Sequence, residues 1–164
     1  MEGKSLTELF RGREAAIEGF YQQIKGIADE YGLPYSKRDM TYNSRLAQEL
    51  GAWADTQADG EKLHNALYHA YFVDNLNISE QSVLLALVEA AGLDMAQAEQ
   101  VLTNRLFSPE IDRHWERAQS MGLSGVPTFV CDELYVVGHQ QYEVLMRFLS
   151  HMRQLKFEAL QSLK

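Results

Sequence analysis

The sequence predicts an α+β fold: a mostly α-helical body followed by a β-hairpin and one final helix. Three observations carry this expectation. Apolar residues recur at steps of three and four from about residue 5 to about 121, the period of helices with one buried face. Two short runs rich in β-branched and aromatic residues, Pro127–Cys131 and Leu134–Val137, are then joined at Asp132-Glu133, as in a hairpin. After Gly138 the helical period returns, with Tyr142, Leu145, Leu149 and Met152 on one face.

In chain order, Ser5-Leu6-Thr7-Glu8 has the spacing of a capping box and starts the first helix. Ile17, Phe20, Tyr21, Ile24, Ala28 and Tyr31 form its apolar stripe, and Gly32-Leu33-Pro34 ends it. Gly12, Gly19 and Gly26 each weaken that helix by roughly 1 kcal/mol relative to Ala, and a break is expected near Gly12. Asn43 or Ser44 caps a helix carrying Leu46, Leu50, Trp53 and Ala54. Leu63, Leu67, Ala70 and Tyr71 mark the next helix. Ser79 is expected to cap another, through Val83, Leu84, Leu87 and Val88 to Gly92. Asp94 and Gln97 repeat the capping-box spacing before Ala98, Val101 and Leu102. Ser108-Pro109-Glu110 starts a helix with Ile111, Trp115 and Ala118.

The chain has 164 residues, 46% hydrophobic and 23% charged, which suits one globular domain spanning residues 1–164. Its net charge of −8, acidic in both halves, argues against nucleic acid as a partner, since phosphate binding needs clustered Lys and Arg. The apolar run Val83–Val88 stops at Glu89, too short to cross a bilayer, so no membrane partner is expected. Met1-Glu2-Gly3-Lys4-Ser5 has no apolar segment of a secretory signal behind it, and the default expectation is a cytoplasmic protein.

The candidate reactive residues are few. Cys131 is the only cysteine, so the sequence holds neither an internal disulfide nor a Cys-x-x-Cys pair. It sits in an apolar strand run with no sequence neighbour to stabilise a thiolate, and reads as a structural residue. His64 and His69 are five apart, about 140° around a helix, and cannot share one metal ion. Glu110 and His114 share a face, but no third and fourth ligand stands at a telling spacing, and no metal is expected. There is no Gly-x-Ser-x-Gly elbow and no cofactor motif. Arg147, His151, Arg153 and Lys156 read as a solvated helix face with cations suited to the C-terminal dipole.

One segment stands apart. Ser124-Gly125-Val126-Pro127-Thr128-Phe129-Val130, then a hairpin, then Gly138-His139-Gln140 before a helix, resembles the C-terminal half of DsbA-like thioredoxin-fold oxidoreductases. The cytosolic FrnE-type branch of dithiol-disulfide isomerases is the nearest in pattern. Its helical portion is matched by Tyr42-Asn43-Ser44 before Leu50 and Trp53-Ala54, by Ala66-Leu67 with Ala70-Tyr71-Phe72, by Asn77-Ile78-Ser79 and by Gly92-Leu93-Asp94. The resemblance implies a helical insertion over about 5–121 and a thioredoxin-like hairpin plus helix over about 122–160.

The departure from that family is equally specific. Its members begin with a strand, a Cys-x-x-Cys helix and a second strand, and Met1-Glu2-Gly3-Lys4 reads as an interior segment promoted to a start. The expected fold is therefore a partial thioredoxin-like one lacking its N-terminal βαβ. Thiol–disulfide exchange needs one thiolate to attack and a second thiol to resolve, so no catalytic role carries over to any residue here. What carries over is Val126 and Pro127, expected cis, which in such folds present backbone to an extended peptide or protein thiol substrate by strand addition. Two strands without neighbours leave an open sheet edge, and a homodimer covering that edge is expected. Glutathione-dependent 2-hydroxychromene-carboxylate isomerases and kappa-class transferases share the helical insertion and the Val-Pro segment. Gly138-His139-Gln140-Gln141 lacks the acid those proteins use to grip glutathione. A non-catalytic interaction module is the remaining reading.

Overall fold

The computed structural model describes residues 3–162; Met1 and Glu2, part of the start read above, and residues 163–164 lie outside them. The fold is α+β and mostly helical, with two small sheets. Two compact units divide the chain, Met1–Arg113 and His114–Lys164, with the boundary falling inside one helix.

The first unit opens with a two-residue strand, β1 (Lys4–Ser5), paired antiparallel with β2 (Met40–Thr41). These strands are too short to leave any alternation in the sequence. The Ser5–Glu8 capping box forms: Glu8 N donates to Ser5 Oγ (3.2 Å) and Ser5 N to Glu8 Oε2 (3.1 Å). It starts a helix of only one turn, α1 (Leu6–Leu9). The chain breaks at Gly12, whose φ of +81° is open to glycine, and restarts as α2 (Ala15–Glu30). Gly32 (φ +65°) ends α2, with Gly32 N on Asp29 O and Leu33 N on Ala28 O, the paired bonds of a Schellman motif.

Four helices then build the core: α3 (Arg45–Ala54), α4 (Gly60–Phe72), α5 (Gln81–Ala90) and α6 (Met95–Asn104). Leu50, Trp53, Ala54, Leu63, Leu84, Val88, Ala98 and Leu102 meet in one buried cluster, so the apolar stripes read from the sequence are the faces that pack. The α3–α4 turn is tight. A Cβ on Gly60 would lie 1.9 Å from the Ala54 carbonyl oxygen, so no other residue fits without moving backbone.

Asp94 caps α6 as expected, accepting from Gln97 N at 3.0 Å. Ser79 does not cap α5. Asn77 Oδ1 captures both the Ser79 amide and its hydroxyl (3.1 and 2.6 Å), and the helix begins one residue later, after Glu80. Ser108, the expected cap of the Ser108-Pro109-Glu110 start, likewise does not stand before its helix. It becomes the first residue of α7 (Ser108–Ser120), and its hydroxyl accepts from Arg45 Nη2 at 2.8 Å.

That contact belongs to the one buried charged cluster of the described residues. Glu49, on α3, is fully buried. Its Oε1 accepts from Arg45 Nε and Arg105 Nη2, both at 2.6 Å, and its Oε2 from Arg105 Nε at 2.7 Å. Arg45 reaches on to Asp112 (2.7 Å) and to the Ser108 carbonyl (2.9 Å). Arg105 ends α6 in the left-handed region at φ +53°, without a glycine. The Arg105 hydrogen bonds, with those of Arg45, hold the Glu49 carboxyl below the usual carboxylate range against the opposing effect of burial.

The second unit holds the end of α7, then β3 (Thr128–Cys131) and β4 (Leu134–Val137), paired from Thr128↔Val137 to Cys131↔Leu134, and α8 (Tyr142–Ser162). The strand starts at Thr128 and not at Pro127, which has no amide to give the ladder. Asp132 adopts φ +52° at the first position of the two-residue turn.

Two predictions follow from this packing. Gly60→Ala is expected to destabilise the chain by about 2 kcal/mol, whereas Gly26→Ala, exposed within α2 with open space around its Cβ, should stabilise it by about 0.5–1 kcal/mol. Urea denaturation midpoints would distinguish the two, and equal effects would contradict the close approach at Gly60. For Glu49, replacement by Ala leaves Arg45 and Arg105 without their shared acceptor and is expected to cost about 3 kcal/mol. Because its folded pKa is lowered, the stabilisation from Glu49 is complete above the unfolded carboxylate pKa of about 4.3. It is lost as pH falls through the lower folded value. Stability measured between pH 5 and pH 3 should fall less steeply in Glu49→Gln than in the parent, and parallel slopes would refute the assignment.

Candidate functional site

The candidate site is built on the first residues of the hairpin. Its framing contacts are local: Thr128 Oγ1 donates to the Gly125 carbonyl at 2.6 Å, and Gly138 N donates to the Pro127 carbonyl at 2.8 Å. Gly138, at φ +87°, turns the chain out of β4, and Gln140 Nε2 closes the turn on the Val137 carbonyl at 2.8 Å. The Val126–Pro127 peptide bond is cis. Val126 lies outside the hairpin ladder, which begins at Thr128, and its side chain is 94% exposed. The Pro127 carbonyl is thus already used by the fold, while the Val126 residue stands clear of it. The arrangement can offer backbone to an extended chain; it brings no acid, base or nucleophile together.

Cys131 ends β3, opposite Leu134, as a half-buried free thiol and not as a fully buried one. The ion pair between Asp132 and Lys156 (3.2 Å) ties the hairpin turn to α8. The histidines point to different partners: His64 Nε2 lies 2.7 Å from Asp55 Oδ1, and His69 Nδ1 lies 3.0 Å from Asp74 Oδ2. Among the described residues no three His, Cys, Asp or Glu side chains are grouped to hold a metal ion. No helix among them is long and apolar enough to cross a membrane.

Two surface features of the first unit were not apparent from the sequence. An apolar groove of about 440 Å3 runs between α2 and α4, with Ile24, Leu33, Tyr68 and Phe72 among its walls. A smaller cavity of about 220 Å3 contains Arg38 and Tyr71. Helical period marks Ile24 and Tyr71 as apolar-face residues, but says nothing of which neighbour leaves a gap beside them.

Comparison with known proteins agrees with the architecture. A family model described as DSBA-like thioredoxin domain matches residues 3–150. Among solved structures, a probable DsbA oxidoreductase from Streptomyces coelicolor is similar at a TM-score of 0.79 and 26% sequence identity, over 93% of this chain and 69% of that one. No curated protein matches the sequence significantly. The family match covers nearly all of the described helices and the whole hairpin, and the chain belongs to the DSBA-like thioredoxin domain family.

Proposed function

We propose that this chain works as a single DsbA-like domain that holds extended peptide or protein thiol substrates at Val126 and Pro127, and that it carries no thiol–disulfide turnover alone. The observation behind this reading is the pairing of a fully presented Val126 with a sequence that contains one cysteine. In thiol–disulfide exchange a thiolate attacks a disulfide sulfur, and a second thiol must then displace the mixed disulfide. Cys131 has no such second thiol in the sequence. Turnover would need a redox pair that this sequence does not contain. The FrnE-type branch that the sequence resembles makes a cytoplasmic setting part of the same reading.

A second reading, a protein-interaction module, is favoured by the hairpin itself. β3 and β4 pair only with each other among the described residues, and Phe129, Val130, Leu134, Tyr135 and Val137 remain exposed. Open edges with apolar side chains invite another strand, and a second copy of the chain is the simplest supplier.

Two measurements test these readings. In an insulin-reduction assay the chain should give no turnover above the reductant background, while an immobilised extended peptide should retain it. Val126→Asp should weaken that retention about tenfold and leave the thermal midpoint unchanged, because the side chain is exposed. Turnover by the chain alone, or peptide retention indifferent to residue 126, would sink the substrate reading. Light scattering at micromolar concentration should give twice the chain mass, and a stable monomer with cooperative unfolding would contradict the dimer.

A further inference from the structure

Residues 36–42 lead into α3 and are fastened to the C-terminal end of α4 and the turn after it. Ser36 N donates to the Phe72 carbonyl at 3.0 Å, and Asn75 Nδ2 donates to the Lys37 carbonyl at 3.1 Å. Thr41 Oγ1 and Tyr71 Oη share a hydrogen bond of 3.0 Å. Asn75 makes its contact from the left-handed region, at φ +57°. These ties set the position of Arg38 between them.

The Arg38 guanidinium lies 4.5 Å from the Tyr71 ring centre and 5.2 Å from that of Phe72. Contact with two rings constrains the guanidinium while leaving its N–H groups to find acceptors elsewhere. They do not all find them. Arg38 Nη1 is buried with no hydrogen-bond partner, the one such side-chain atom among the described residues, and no carboxylate among them pairs with Arg38. Its neighbour Lys37 is already engaged by Glu18 at 2.7 Å. Asp39 lines the same cavity, but its residue is exposed and it makes no ion pair with Arg38. The rings meet the charge but offer Nη1 no acceptor, and native folds seldom keep a buried N–H donor unless something else meets it.

We propose that the cavity of about 220 Å3 beside Arg38 is a binding site for a small oxyanion, a carboxylate or a phosphate, with Arg38 as its cation. Lys37, Asp39, Tyr42, Tyr71 and Asn75 share its lining. Guanidinium takes carboxylate and phosphate oxygens in a planar, two-point geometry, which suits an arginine already fixed against two rings. The chain's net charge of −8 gives anions no general attraction, so stabilisation by an anion must arise at a local site.

The test uses the full chain at constant ionic strength, with chloride as the reference anion. Inorganic phosphate at 20 mM, or acetyl-triglycine with a free C-terminus, should raise the thermal midpoint by about 2–4 °C, the shift expected for a millimolar site. The amidated peptide should not. A response to phosphate alone, to the free carboxylate alone or to both supports the site and identifies which source it accepts. R38Q should abolish the shift. Independently of any variant, the Nε–H resonance of Arg38 in nitrogen-15 NMR should move as phosphate is added. No response to either anion, a shift that persists in R38Q, or a stationary Arg38 resonance would overturn the proposal.

Discussion

The carboxylate of Glu49 is the constraint on which the first unit depends. Fully buried on α3, it is met by Arg45 from its own helix and by Arg105 from the end of α6. Arg45 continues to Ser108 and Asp112 at the start of α7. α3 and the neighbouring ends of α6 and α7 are therefore tied together through one carboxylate and the two arginines on it. Desolvating a carboxylate is costly, and a buried ion pair is often no more stabilising than apolar residues of the same volume. In the observed placement of α6 against α3 both oxygens are satisfied. The left-handed turn at Arg105 fits this view, since a residue other than glycine there incurs strain that the two bonds to Glu49 offset.

How much of this was legible follows from the range of each interaction. The apolar stripes of α3 to α6 were, because period 3.6 is a local property: Leu50, Leu63, Leu84, Val88, Ala98 and Leu102 all lie in the buried cluster, whereas the stripes of α2 and α8 leave Phe20, Ile24, Tyr142 and Leu149 exposed. The Ser5 and Asp94 caps were legible for the same reason. Glu49 was not. With Arg45 four residues before it, it has the spacing of an ordinary exposed helix pair, and its burial is decided by Arg105, 56 residues later. Ser79 misled because Asn77, two residues earlier, offered its hydroxyl a better acceptor than the helix did.

The candidate site shows a similar division. Periodicity and turn chemistry were enough to find the hairpin, with Asp132 at its turn. They could not single out Val126, whose candidacy rests on its near-complete exposure and on resemblance to a family. Arg38 was beyond reach altogether. In the sequence it stands in the short charged run Lys37-Arg38-Asp39, which has no apolar period to mark it, and the ties from Phe72, Asn75 and Tyr71 hold it as a half-buried cation.

The two units differ in what they bury, and that difference bears on function. The first unit holds fifteen of the sixteen buried apolar residues of the described chain, from Ala28 to Ile111, and the second holds only Met152. An isolated two-stranded hairpin is marginal in water, and one fully buried methionine adds about 1.5–3 kcal/mol at most. Meanwhile α8 exposes Tyr142, Met146, Leu149, Phe157 and Leu160, which recur at helical spacing along a stripe that adjoins Met152. Open strand edges beside an exposed apolar helix stripe are features that association with another chain would cover. The helical unit holds nearly all the buried apolar side chains among the described residues, whereas the hairpin unit keeps most of its own exposed. A substitution at an exposed position of this unit, as at Val126, removes little buried area and so acts on binding more than on stability.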